Sequence, residues 1–325
     1  MTDRALTIGI DLGGTFIKAG LVDGEGAILS RASVATDLSR GPAGLLADMA
    51  GLVKALLGSP GDPGRRNDLI AVGLGSPGPL SPSRGLIYKC ANLPGLEGFA
   101  IRDELGEKLG MPVAFDNDGN MAALGESWLG GGRGAGDMVM LTLGTGVGAG
   151  VIVDGVLLHG HFENAAELGH MIVQAGGLPC TCGQSGCLER YCSASSVARR
   201  AKEALGEGKS SRLTELLDEG EEITSEHVAR AAREGDTVCH QIWDEACACL
   251  AVACVNIQHA FNPARIVIGG GMSAAGDFLF DCVRGHFERQ RWSLAEDFPR
   301  IVPAELGNDA GMLGAAKLAR DSGGG

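Results

Sequence analysis

The chain reads as an α/β protein built from two related domains that face a shared cleft. Its 325 residues suffice for two domains of about 150 residues each. Short apolar runs bounded by Gly and Pro alternate with longer stretches of helical periodicity, the pattern of α/β layers. In addition, residues 9–24 lie over residues 140–155 without a gap: Leu12, Gly13, Val22, Asp23 and Gly24 meet Leu143, Gly144, Val153, Asp154 and Gly155.

Taken in order, residues 5–10 form a strand-like run that enters Asp11-Leu-Gly13-Gly14-Thr15, a turn into a second strand. That strand closes at Asp23-Gly24, a hairpin signal. Residues 42–57 repeat apolar side chains at helical spacing, through Leu45, Leu46, Met49, Leu52, Val53, Leu56 and Leu57. The Gly- and Pro-rich tract 58–67 reads as a surface loop, and 69–74 as a buried strand. A helix near 99–109 precedes a strand at 112–115. The second copy, 140–155, again runs strand, glycine turn, strand. A long apolar helix over 236–260 is stopped by Asn262-Pro263, and 265–269 follows as a strand. The last helix, near 309–320, is expected to pack back on the first domain, with a disordered end from Ser322. A smaller α/β domain is therefore expected over 1–117 and a larger one over 118–308.

Composition narrows the partners. Lys and Arg number 27 against 40 Asp and Glu, a formal charge of −13, so no nucleic-acid partner is expected. No polybasic stretch or uninterrupted spanning run points to a membrane. Met1-Thr-Asp-Arg leads straight into a strand without a signal peptide. The expected compartment is thus a reducing cytoplasm. Cys239, Cys247, Cys249 and Cys254 fall in the long helix and read as small packing residues.

Three other cysteines read differently. His170 is followed by Cys180, Cys182 and Cys187, with Gly183 and Gly186 supplying tight turns. Three thiolates and an imidazole make the closed tetrahedral shell of a structural Zn²⁺. The turns Gly13-Gly14-Thr15 and Gly144-Thr145-Gly146 let backbone N–H groups approach an anion; each is also an acceptable glycine hairpin. Gly73-Leu-Gly75-Ser-Pro-Gly78 fits the dinucleotide fingerprint, but Pro79 and Pro82 follow where a helix must begin, so a nicotinamide site is rejected. Neither a Walker A sequence nor the H-R-D and D-F-G sequences of protein kinases occur.

Over nearly its full length the chain resembles the ROK family of bacterial sugar kinases, most of all its zinc-containing glucokinases. The resemblance rests on Asp11-x-Gly-Gly-Thr15, Pro77-Gly78, Asn92-Leu-Pro-Gly95, Asn117-Asp118-Gly-Asn120, Gly144-Thr-Gly146, Glu167-x-x-His170, the cysteine cluster with Cys187-Leu-Glu189, and Gly269-Gly270-Gly271. It implies an actin-like ATPase fold (a duplicated ribonuclease-H-like unit) and a homodimer or homotetramer. The implied reaction is ATP-dependent phosphorylation of a hexose, D-glucose to glucose 6-phosphate. Asp118 matches the general base; on the residues alone it could equally cap a turn or helix. Gly78, Asn92, Asn117, Glu167, His170 and Glu189 match the hexose contacts. Asp11 matches the acid that helps position Mg²⁺, both glycine turns match phosphate loops, and Gly269, Gly270 and Gly271 match the adenosine loop. Asp116 is near enough to be mistaken for the base. Lys18 is either part of the opening motif or a surface lysine.

Glu163 and Asn164 stand where many relatives are richer in glycine, and could add a contact near the sugar. The alternatives are a ROK kinase for fructose, mannose or an N-acetylhexosamine, and a non-catalytic sugar-sensing regulator. The latter carries a helix-turn-helix domain first, for which Asp11 lies too near the start.

Overall fold

The computed structural model describes residues 5–58, 68–88, 90, 93–294 and 296–323. Most of the loop expected over 58–67, and Asn92, lie outside the described residues.

The first sheet takes β1 Leu6–Leu12, β2 Phe16–Val22, β3 Ile28–Ala35, β4 Leu69–Ser76 and β7 Val113–Asn117, in the order β3-β2-β1-β4-β7. Helices α1 Gly41–Leu57 and α2 Ile101–Leu109, and the small hairpin β5 Leu80–Ser81 and β6 Leu86–Ile87, complete this half. The second sheet takes β8 Met138–Leu143, β9 Val147–Val153, β10 Val156–Leu157, β11 Arg265–Gly269 and β12 Arg300–Pro303, in the order β10-β9-β8-β11-β12. In both sheets the first three strands are antiparallel neighbours and the last two join in parallel. The repeat read from the sequence is therefore a repeat of topology.

The copies differ at their turns. Asp154 and Gly155, both at positive φ, make a two-residue loop between Val153 and Val156. Asp23-Gly24 instead begins a longer loop between Val22 and Ile28, in which the Asp23 side chain accepts from Glu25 N and Ala27 N. A carboxylate that can turn the chain by itself relaxes the need for a tight hairpin.

Helix α3, Asp118–Leu129, follows β7 directly. The second half adds the short helices α4 Glu189–Cys192, α5 Ala194–Gly206, α6 Thr214–Asp218 and α7 Ser225–Arg233. The long α8 Thr237–Phe261 and α9 Asp277–Gln290 follow, and α10 Ala310–Gly323 ends the described chain. By length and composition α8 could cross a membrane, but its apolar side chains, among them Cys239, Cys247 and Cys254, belong to the core under the second sheet. α10 packs on β1, β4 and α3, and α3 also touches β8 and β9. The pair α3 and α10 thus joins the two halves.

Glycine makes these contacts close. A Cβ at Gly9 or Gly73 would lie 1.8 Å from the backbone oxygen of Met312 or Ala315 on α10. At Gly314 it would lie 1.7 Å from Met121 O on α3. Such approaches exclude any side chain. At its far end α10 departs from the sequence reading: Ser322 and Gly323 are helical, not part of a disordered tail. Ser322 Oγ donates to Leu318 O at 2.9 Å, and Gly323 rests against Ala71 on β4.

The end of α3 is tied down by Glu126, which is fully buried and accepts from Gly131 N, Glu305 N and Leu306 N at 2.7–3.1 Å. Removing this carboxylate strands backbone donors from two loops. Glu126→Ala is expected to cost about 3 kcal/mol, measured by urea unfolding.

Candidate active site

The cleft between the sheets starts from strand ends. β7 stops at Asn117, whose side chain caps α3 by accepting from Gly119 N at 2.8 Å and Asn120 N at 3.4 Å. This cap sets Asp118 at the first helical position, where its Oδ1 accepts from Gly119 N at 2.8 Å. Burial raises the Asp118 carboxyl above the usual carboxylate range, against the pull of the Gly119 N–H.

Asp11 lies on β1 opposite Lys18 on β2, and Gly311 of α10 leaves room for its carboxylate. Burial pushes Asp11 up to about 6; the Lys18 charge works against this and the Asp118 charge adds to it. The two acids thus feel each other's charge. They share a cavity of about 410 Å³ with Lys18, with Gly269 at the end of β11, and with Gly270 and Gly271 just after it. Lys18 is therefore a cleft residue. Gly270 has φ +84°, and a Cβ there would lie 2.5 Å from the Leu143 backbone, so this turn needs glycine.

A second wall carries Glu167 and His170 on one 3₁₀ turn, Leu168–His170 with Glu167 at its cap. Burial raises the Glu167 carboxyl; the His170 charge offsets this, while those of Asp118 and Glu189 add to it. Glu189 Oε2 accepts from Val147 N at 3.0 Å, beside the β8–β9 turn. A Cβ at Gly146 would lie 2.4 Å from that oxygen, so glycine here admits the carboxylate. Gly78 lies against Asn117: its added Cβ would meet Asn117 Nδ2 at 3.2 Å. The turns Gly13-Gly14-Thr15 and Gly144-Thr145-Gly146 are both present, the first closed by Gly13 N donating to Phe16 O and the second by Gly144 N to Gly146 O. Neither lines the 410 Å³ cavity.

Behind this wall the four candidate metal ligands converge. His170 Nδ1 lies 3.7 Å from Cys180 Sγ, Cys182 Sγ lies 3.6 Å from Cys187 Sγ, and one donor atom from each residue falls within 4.8 Å of the others. Tetrahedral Zn²⁺ with Zn–S near 2.3 Å needs sulfurs roughly 3.7 Å apart, so the donor set and its spacing fit. Gly183 and Gly186, both at positive φ, turn the loop; a Cβ at Gly186 would strike Gln174 O.

Several site features were not foreseen. Asp116, 2 % exposed, faces His159 rather than the cleft acids: its Oδ2 lies 2.6 Å from His159 Nε2, and its Oδ1 accepts from Asn117 N and Asn120 Nδ2. The hydrogen bond to Asp116 raises the His159 imidazole above its ordinary value. Glu163 and Asn164 turn to the β5–β6 hairpin, where Glu163 Oε2 accepts from Ser81 Oγ at 2.5 Å and Asn164 Oδ1 from Leu80 N at 3.2 Å. They clasp the two halves together. A further hollow of about 290 Å³ opens beside Gly271, walled by Met272, Ala275, Ala229, Trp243, Arg230 and Arg233. Nothing in local spacing joins these residues, which come from α7, α8 and the turn after β11.

The sequence profile of the ROK family matches residues 7–322. A glucokinase of Halalkalibacterium halodurans is 39% identical over 321 residues, covering 98% of this chain and 96% of that one. The crystal structure of a ROK hexokinase from Thermus thermophilus superposes with a TM-score of 0.82 at 31% identity, covering 98% of each chain. A ROK family glucokinase from Streptomyces griseus, solved with glucose and AMPPNP, gives 0.78 at 35% identity, covering 98% of this chain and 100% of that one. The duplicated sheets described above are those of the actin-like ATPase fold.

Proposed function

Because the chain belongs to the ROK family, we propose that it is an ATP-dependent hexose kinase acting on D-glucose at the 6-hydroxyl. The observation that carries this is the place of Asp118, on a cavity shared with the Gly269–Gly271 turn and within charge range of the Glu167 wall. Asn117, Glu167, His170 and Glu189 bind the sugar hydroxyls with the Gly78 backbone beside them, and Asn92, outside the described residues, is assigned to the same set by its match to the family motif. Carboxylates and amides each bridge neighbouring oxygens, and this orients the 6-hydroxyl toward Asp118. The Asp118 carboxylate takes the hydroxyl proton as the oxygen bonds to the γ-phosphorus and the bond to the ADP oxygen breaks. The turns Gly13-Gly14-Thr15 and Gly144-Thr145-Gly146 receive the phosphates through the backbone N–H groups of Gly14, Thr15, Thr145 and Gly146, while those of Gly13 and Gly144 close the turns. The hollow beside Gly271 takes the base, between apolar Met272 and Ala275 and the guanidinium of Arg230 or Arg233.

Asp11 would hold Mg²⁺, which supplies neutralisation of phosphate charge during transfer. Zn²⁺ would be held by His170, Cys180, Cys182 and Cys187, and it supplies rigidity. With His170 Nδ1 turned to the sulfurs, Nε2 is left for a sugar hydroxyl. The proposal extends to domains of 1–117 and 118–308 moving about the α3 junction, in a cytoplasmic homodimer or homotetramer. Light scattering at two or four times 33.3 kDa tests the assembly.

A coupled ADP-release assay over glucose, fructose, mannose and N-acetylhexosamines is expected to give the highest kcat/KM with glucose; no turnover with any sugar overturns the reading. The pH profile adds a check. Asp118 works ionised and its carboxyl is raised, so activity is full above that raised value and falls as pH drops through it. The acid limb is expected above the ordinary carboxylate range of about 4. A limb at or below that range argues against Asp118 as base.

A further inference from the structure

Away from the cleft, α8 and α9 pack side by side, and their seam gathers another set of metal-binding side chains. Asp244 on α8 with Cys282 and His286 on α9 place one oxygen, one sulfur and one nitrogen within 4.8 Å of each other. Cys282 and His286 are one helical turn apart and so share a face. Asp244 Oδ1 lies 2.8 Å from His286 Nε2 and 3.7 Å from Cys282 Sγ.

We propose that Asp244, Cys282 and His286 form a second metal site, for a borderline dication of the Zn²⁺ class, that staples α8 to α9. The donor chemistry selects the ion. A thiolate with an imidazole and a carboxylate suits Zn²⁺ or Co²⁺, whereas Mg²⁺ and Ca²⁺ call for oxygen shells. The geometry is close to what such an ion needs. Tetrahedral bonds of about 2.0–2.3 Å set N···O near 3.3 Å and S···O near 3.5 Å, so Asp244 must shift by roughly half an ångström. It can do so, because its side chain is 50% exposed while His286 is 15% exposed. The open fourth position on that side takes water.

Cys247, on the same helix as Asp244, is fully buried beneath the seam. Metal binding at His286 Nε2 needs the neutral imidazole with its proton on Nδ1. Arg289, whose guanidinium Nη2 lies 2.9 Å from His286 Nδ1, is exposed and can withdraw into solvent.

The test loads reduced full-length protein with excess Zn²⁺, dialyses it against metal-free buffer and counts zinc per chain by elemental analysis. A parallel titration with Co²⁺ follows the thiolate-to-cobalt charge-transfer band. Wild type is expected to hold one equivalent more than Cys282→Ser and one more than Asp244→Asn. Both variants are also expected to lose the extra cobalt band. Asp244→Asn changes a half-exposed side chain and keeps the test valid should Cys282→Ser misfold. Because the readout is a difference between wild type and variant, it is independent of the ion at Cys180, Cys182 and Cys187. Equal metal content in wild type and Asp244→Asn overturns the proposal.

Discussion

Asp118→Asn is expected to lower kcat by about 10²–10⁴-fold with little change in the KM for glucose, while raising the thermal midpoint. The two effects have one cause. Burial disfavours the ionised Asp118, so its folded pKa lies above the unfolded one. A group shifted in that direction stabilises the fold below its unfolded pKa and loses that contribution as pH rises through the folded pKa. At neutral pH the wild type thus carries a charge it would rather not hold, and a neutral amide removes the cost along with the base. Asp116→Asn separates the roles. Asp116 is buried against His159 and Asn120, so its loss is expected to lower the midpoint and leave kcat within about tenfold of wild type. Steady-state kinetics with thermal scans decide this; equal loss of kcat in both variants sinks the assignment of the base.

Chelating the Zn²⁺ proposed at His170, Cys180, Cys182 and Cys187 is expected to give the second large effect. The loop that carries them has no long helix or strand and is closed by backbone hydrogen bonds such as Val173 N to Gly186 O, Cys180 N to Gln184 O, Gly186 N to Leu178 O and Leu188 N to Met171 O. Without a metal, these bonds are left to set the positions of His170 and Glu189 at the two ends of the stretch. The KM for glucose is expected to rise about 10–100-fold, by analogy with the loss of groups that orient a site. Amide exchange should quicken over 170–189 while the sheets stay protected, because Leu188 is the one residue of this stretch among the buried core side chains described. Unchanged KM after zinc removal, verified by elemental analysis, refutes this account. Serine at Cys187 should reproduce the chelated state.

The main elements and the convergence of His170 with Cys180, Cys182 and Cys187 were legible in the sequence because each rests on short-range order. Helical periodicity marked α1 and α8, and the cluster spans a stretch short enough for its turns to be read from Gly183 and Gly186. The duplicated glycine turns located both hairpins, though not their unequal loops, which depend on whether Asp23 bonds its own backbone. Pairs distant along the chain left no trace. His159 lies 43 residues from Asp116, and Glu163 lies 82 from Ser81, and no spacing rule links them. The hollow beside Gly271 was hidden for the same reason, since three separate elements build it. The helical end at Ser322 was missed because only packing against β4 makes a glycine tail worth ordering.

The glycine seam between α10 and the first sheet has a temporal consequence. Met312 and Ala315 seat on β1 and β4, strands that leave the ribosome long before α10 does. During synthesis the first sheet therefore stays without this cover until α10 has emerged from the exit tunnel. Chains stopped at Leu306 should stay open to trypsin throughout the amino-terminal half, and protection there equal to that of the intact protein would show that the early strands mature unaided.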